Sequence, residues 1–70
     1  MREIRLYPHD LGSHPPGFVA EVNWELSFQD IEDIEFRLLQ AEGAAYLFVS
    51  EQRDGDMVRA VFERNWGGAH

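Results

Sequence analysis

Cysteine, lysine and threonine are all missing from this chain of 70 residues. Without cysteine there is no disulfide, no thiolate metal site and no cysteine nucleophile. That matters at this length, because a chain of about 60 residues buries only about 60% of the surface its unfolded form exposes. Small domains usually make up the difference with disulfides, a structural metal or oligomerisation. Of the three histidines only His9 and His14 lie near each other. Tight packing or a partner subunit is therefore the expected source of extra stability. The absence of lysine leaves all six basic residues as arginine; arginine, alanine and glycine codons can be GC-rich, which suits a GC-rich bacterial or phage genome.

Long apolar runs are also missing. No stretch of 18 apolar residues occurs, and the start, Met1-Arg2-Glu3-Ile4-Arg5, has no hydrophobic segment behind its charges. The expectation is a soluble, cytoplasmic protein with no membrane partner, sited in the host bacterial cytosol if the gene is a phage's. Positive charge is scarce, with six basic against 13 acidic residues and a net charge of −7. Phosphate binding needs Lys and Arg to displace counterions, so direct binding of nucleic acid is disfavoured. Attraction to a basic protein surface is favoured, since long-range steering follows the sign of the field.

Catalytic groupings are equally scarce. The serines, Ser13, Ser27 and Ser50, stand in no nucleophile-elbow context. The many carboxylates sit in a chain too short for a cleft that would desolvate an opposed pair. His9, Asp10 and His14 match no metal-ligand spacing and read as a solvated loop. Gly12 and Gly17 lie among prolines with no helix directly after them, so there is no phosphate-cradling loop. The sequence leads us to expect no enzyme, no metal and no cofactor.

The patterning that is present describes a single α+β domain over residues 1–70. Glu3 to Tyr7 alternates and reads as a strand. The stretch from Pro8 to Gly17, rich in proline and glycine, reads as a loop. From Phe18 to Leu26 the alternation is strict: Phe18, Ala20, Val22, Trp24 and Leu26 share one face, and Val19, Glu21, Asn23 and Glu25 share the other. Ser27 offers a helix N-cap with carboxylates following it, and Gly43 offers a stop, which predicts a helix over 28–42. Phe28, Ile31, Ile34, Leu38 and Ala41 form its expected buried stripe. Two apolar runs, 44–51 and 57–64, flank Arg53-Asp54-Gly55-Asp56 and read as a hairpin turning on Asp54-Gly55. Residues 65–70 read as a loose tail anchored by Trp66. The expected order is ββαββ: an antiparallel sheet of about four strands with one helix on one face.

Two surfaces stand out as candidates for binding. With the turn at Asp54-Gly55, Leu47 faces Phe62 and Val49 faces Ala60, while Tyr46, Phe48 and Val61 fall on the opposite side of the hairpin. One helix covers only one face, so Tyr46, Phe48 and Val61 are expected on the uncovered face. Two readings stay open there: an interface, most commonly homodimeric, or cover by Trp66 and the tail. The second surface is the outer side of the helix, where Asp30, Asp33 and Arg37 lie together opposite the apolar stripe and Glu32 lies to one side near Phe36, with Glu21 and Glu25 extending the negative field. Carboxylates steer encounter and an aromatic supplies area to desolvate, although charges in a first helical turn also serve simply as dipole complements.

In size, negative charge, lack of cysteine and compact α+β pattern, the chain resembles small phage-encoded inhibitors of host defence, the anti-CRISPR proteins. That resemblance implies a nucleic-acid mimic which occupies the basic surface of a host nucleic-acid-handling complex. Asp30, Glu32, Asp33, Glu35, Glu21 and Glu25 would then meet arginines and lysines that normally hold phosphates, with Phe36 as apolar anchor. The alternative from another class is a homodimeric regulatory or accessory protein joined through Tyr46, Phe48 and Val61. A small-ligand-binding domain using the sheet face is the weakest of the three.

Overall fold

A computed structural model of the chain describes residues 3–9 and 17–65. Along it run β1 (Arg5–His9), β2 (Gly17–Val22), α1 (Phe28–Glu42), β3 (Tyr46–Asp54) and β4 (Met57–Arg64). The strands form one antiparallel sheet in the order β1-β2-β4-β3, and α1 packs on one face of it. The α+β architecture expected from the patterning is the one observed.

The helix keeps its expected limits because both of its ends are set locally. Ser27 Oγ accepts the backbone N–H of Asp30 at 3.1 Å, and Asp30 Oδ2 accepts the N–H of Ser27 at 3.0 Å, a reciprocal capping box. At the other end Gly43 takes a left-handed conformation with φ 71° and returns its N–H to the Leu39 carbonyl at 2.9 Å. Ile34 and Leu38 face the sheet and are buried with Ala20, Ala60, Phe62 and Tyr46. The directly paired alanines, Ala20 and Ala60, leave room at the sheet centre for the helix's branched side chains. Around them Phe18 meets Tyr46 edge-on at 5.1 Å and Phe48 meets Phe62 at 5.8 Å between ring centres. Truncating Ile34 or Leu38 to alanine would cost about 2–5 kcal/mol at such sites.

The expected buried stripe of α1 is only partly right. Ile31 is half-buried, but Phe28 is 89% exposed and Ala41 faces solvent. At about 100° per residue Phe28 points well away from Ile34 and Leu38, and it falls close to Leu39 instead.

Strand limits shift in β1, β2 and β3, the last running Tyr46–Asp54 where 44–51 was expected. β1 continues through Pro8 and His9, which were expected in the loop; an edge strand tolerates a proline because the missing N–H need not serve a neighbour. β2 begins at Gly17 and stops at Val22 rather than Leu26, yet the burial alternation persists: Trp24 and Leu26 are half-buried while Asn23 and Glu25 are exposed. The period-two pattern there reports burial, and the backbone has already left the sheet. Gly17 is required by close approach, since a Cβ on it would meet the Phe62 carbonyl oxygen at 2.5 Å. Residues 10–16 of the expected loop and 66–70 of the expected tail lie outside the described residues.

The hairpin differs most. Asp54 pairs with Met57, so the turn is Gly55-Asp56 and not Asp54-Gly55. Gly55 has φ 63° and Asp56 a negative φ, which fits a turn needing positive φ only at its first central residue. Asp54 is thereby spared a left-handed conformation. Moving the turn by one residue shifts register by two and preserves the faces. A bulge at Val49, between the Phe48–Phe62 and Ser50–Val61 pairs, then shifts it back by one, and the net shift of one residue exchanges them. Tyr46 and Phe48 consequently lie on the helix side, while Leu47 and Val49 face outward, 45% and 51% exposed.

Candidate partner-binding surface

The expected sheet interface of Tyr46, Phe48 and Val61 is not assembled. Tyr46 is buried and Phe48 half-buried beneath α1, and Val61 lies on the opposite face. The bulge at Val49 separates them. On the face away from α1 Val61 pairs with Val19, which is buried, and the next row runs Arg5, Glu21, Arg59 and Gln52 across all four strands. There Glu21, its side chain only 12% exposed, takes Arg59 Nε at 2.8 Å and Arg5 at 3.7 Å. Arg59 also reaches Asp54 at 3.3 Å. The hydrogen bonds to Glu21 and then to Asp54 hold the Arg59 guanidinium above its usual pKa.

Several of the acidic residues expected to meet a partner have work inside the fold. Glu21 is the hub of this charge ladder, and Glu25 is paired with Arg53. Asp30 closes the helix cap and also accepts Trp24 Nε1–H at 3.2 Å. Glu35 Oε2 accepts the Phe48 backbone N–H at 3.0 Å, where α1 leans on the edge strand. Glu32 and Asp33 are exposed, and among the described residues no ion pair or hydrogen bond engages their carboxylates. Phe36, 60% exposed, sits beside them as expected.

The surface that does assemble is the flank where α1 meets β3. Phe28, Phe36 and Leu39 project from the helix, and Leu47, turned to the outer face of edge strand β3, borders them. Two open hollows lie along this flank. One, of about 490 Å³, is lined by Leu26, Ser27, Phe28, Ile31, Phe48 and Glu51. The other, of about 270 Å³, is lined by Phe36, Leu39, Ala45, Tyr46 and Leu47, with Glu32 on its rim and Glu35 at its base. Apolar floors with acidic borders are the usual anatomy of a protein interface. Sequence reasoning found Phe36 and the carboxylates but missed Phe28, Leu39 and Leu47. The helix did carry a signal: Phe28, Glu32, Phe36 and Leu39 form a second stripe, about a third of a turn from Ile34 and Leu38.

A third hollow, lined by Glu3, Arg5, Glu21, Val22, Asn23 and Met57, is polar and belongs to the charge ladder. Among the described residues no group of three His, Asp or Glu is placed to hold a metal ion. No helix among them is long and apolar enough to cross a membrane. Comparison with protein-family models, with curated proteins and with solved structures finds no match.

Proposed function

We propose that this chain is a small, non-catalytic acidic domain that binds another protein, as an inhibitor or adaptor, through the α1–β3 flank. The observation that carries this reading is the exposure of Phe28 and Phe36, 89% and 60%, on a helix whose Glu32 and Asp33 are also exposed. Leaving two phenylalanines in water on one short helix forgoes burial of about 1.5–3 kcal/mol each, which a partner would recover. The net charge of −7 selects a basic partner surface.

The finer form of the proposal is an anti-CRISPR-type inhibitor that occupies a basic channel made for nucleic acid. Because Glu21, Glu25, Asp30 and Glu35 already serve the fold, mimicry rests chiefly on Glu32 and Asp33. A salt-graded pull-down from nuclease-treated bacterial lysate tests it, run beside a Glu32→Lys/Asp33→Lys variant. Elution of a nucleic-acid-handling complex at moderate salt, lost in the variant, supports the reading. Equal recovery by the variant removes the electrostatic part of it.

A homodimer joined through the sheet is the second reading. It draws on Leu47 and Val49, exposed on the face of the sheet away from α1. Light scattering across a concentration series distinguishes it, since an apolar sheet contact would persist in high salt.

A further inference from the structure

We propose that the α1–β3 flank receives a basic segment of the partner in which two apolar side chains bracket an arginine or lysine. This rests on the protein-binding reading above and names the occupant. The two hollows lie toward opposite ends of the flank, one around Phe28, Ile31 and Phe48, the other around Phe36, Leu39 and Leu47. Ile31 and Leu39 are separated by about 12 Å of helix rise, and Phe48 and Tyr46 by about 7 Å of strand. The apolar floors are therefore on the order of 10 Å apart, within reach of two side chains on one short segment.

Carboxylates occupy the ground between. Glu32 lies on the outer rim, and Glu35 lies at the base, where one oxygen accepts the Phe48 N–H. A carboxylate has about four acceptor positions, so that single bond leaves Glu35 able to take a guanidinium or ammonium as well. Glu51 adds a further negative charge at the other hollow. A cation placed between two apolar anchors would meet these acids from above. A second copy of the chain fits poorly, because a two-fold contact on this flank brings Glu32 and Glu35 toward their own copies. Arg37 is the single cation that α1 would offer in return. Nucleic acid is repelled by the same charges.

The test uses the whole chain and fluorescent peptides with two leucines bracketing an arginine, at helical and at extended spacing, beside the same peptides with glutamate for arginine. The expected result is that an arginine peptide binds at least about tenfold more tightly than its glutamate twin. Binding should weaken with salt and fall by at least about tenfold in Phe36→Ser and in Glu32→Lys, with thermal unfolding little changed. Equal binding of the two peptide series overturns the inference, as does no binding by any peptide up to about 1 mM. A wild-type dimer that Phe36→Ser converts to monomer also overturns it, because the occupant is then a second copy. If the peptides fail while a partner captured from lysate is lost on Phe36→Ser, the inference falls and the protein-binding reading stands. If that capture also fails, both fall.

Discussion

Glu35 on the helix holds the backbone N–H of Phe48 on the strand at 3.0 Å. β3 is an edge of the sheet, and an exposed edge is a template for pairing with another chain. The contact thus packs the helix and also closes one position on an open edge. Glu35→Ala is expected to lose about 1–2 kcal/mol of stability and to self-associate at high concentration, whereas Glu35→Gln, which keeps an acceptor, should resemble wild type. Urea unfolding and light scattering over a concentration series read the two effects separately. An alanine variant that stays monomeric would show that the bulge and charges of β3 protect the edge unaided.

Asp30 is expected to matter for stability more than for recognition. Its carboxylate accepts from Ser27 N–H and from Trp24 Nε1–H, tying the cap to the chain that leaves β2. Asp30→Ala should cost about 1–2 kcal/mol, the usual range for a lost cap, and alter Trp24 fluorescence. Asp33→Lys, in an exposed position, should stay within about 0.5 kcal/mol of wild type. Charge reversal at Asp33 is consequently a clean probe of binding, and reversal at Asp30 is not.

Gly17 supplies a third prediction. A methyl group there would press on the Phe62 backbone carbonyl, which has no side-chain freedom to move aside, so the β2–β4 pairing must shift to admit it. Gly17→Ala is expected to destabilise by about 1–3 kcal/mol, as overpacking usually does. A melting temperature equal to wild type would mean that β2 starts later than Gly17 in solution.

The charge ladder gives a prediction about pH and salt. Glu21 and Asp54 raise the pKa of Arg59. A raised basic pKa stabilises the fold at every pH below the unfolded value, and that contribution disappears only as pH climbs through the folded value, in strong alkali. From the arginine side the ladder is constant through the neutral range. Glu21→Gln should cost no more than about 1 kcal/mol, because Arg5 is largely solvated and Arg59 keeps Asp54 as a partner, and the loss should shrink in high salt. Urea midpoints at low and high salt measure it.

What the sequence disclosed, and what it withheld, follows the range of the interactions concerned. The helix was legible to its ends because Ser27, Asp30 and Gly43 act within a few residues of where they stand. The period of β2 was legible as burial but not as strand length, since Trp24 and Leu26 keep alternating after the backbone has left the sheet. The face carried by Tyr46 and Phe48 was not legible. It depends on a bulge at Val49, and nothing in Leu47-Phe48-Val49-Ser50 marks where a bulge must fall. Phe18 and Phe62, distant in sequence, give Tyr46 and Phe48 their ring contacts and favour the helix side for them. That one-residue shift dissolved the expected dimer face and exposed Leu47 beside Phe36.

Phe36 and Phe28 separate folding from binding, and the last prediction turns on that separation. Both side chains are mostly in water, so replacing Phe28 by serine should change stability by less than about 0.5 kcal/mol and replacing Phe36 by no more than about 1 kcal/mol. Aromatic anchors of an interface, by contrast, commonly contribute 2 kcal/mol or more, about thirtyfold in affinity. Phe36→Ser should therefore unfold within about 1 kcal/mol of wild type and bind its partner at least about tenfold more weakly, with Phe28→Ser weakening binding independently from the other hollow. The control is Ile34→Ala, which lies on the opposite side of the helix and is fully buried; it should lower the melting temperature while leaving the affinity of the folded fraction unchanged. A Phe36→Ser protein that unfolds early would place that ring in the core, and one that binds normally would move the interface off this flank. Only the combination of intact folding and lost binding assigns the exposed aromatics to a partner.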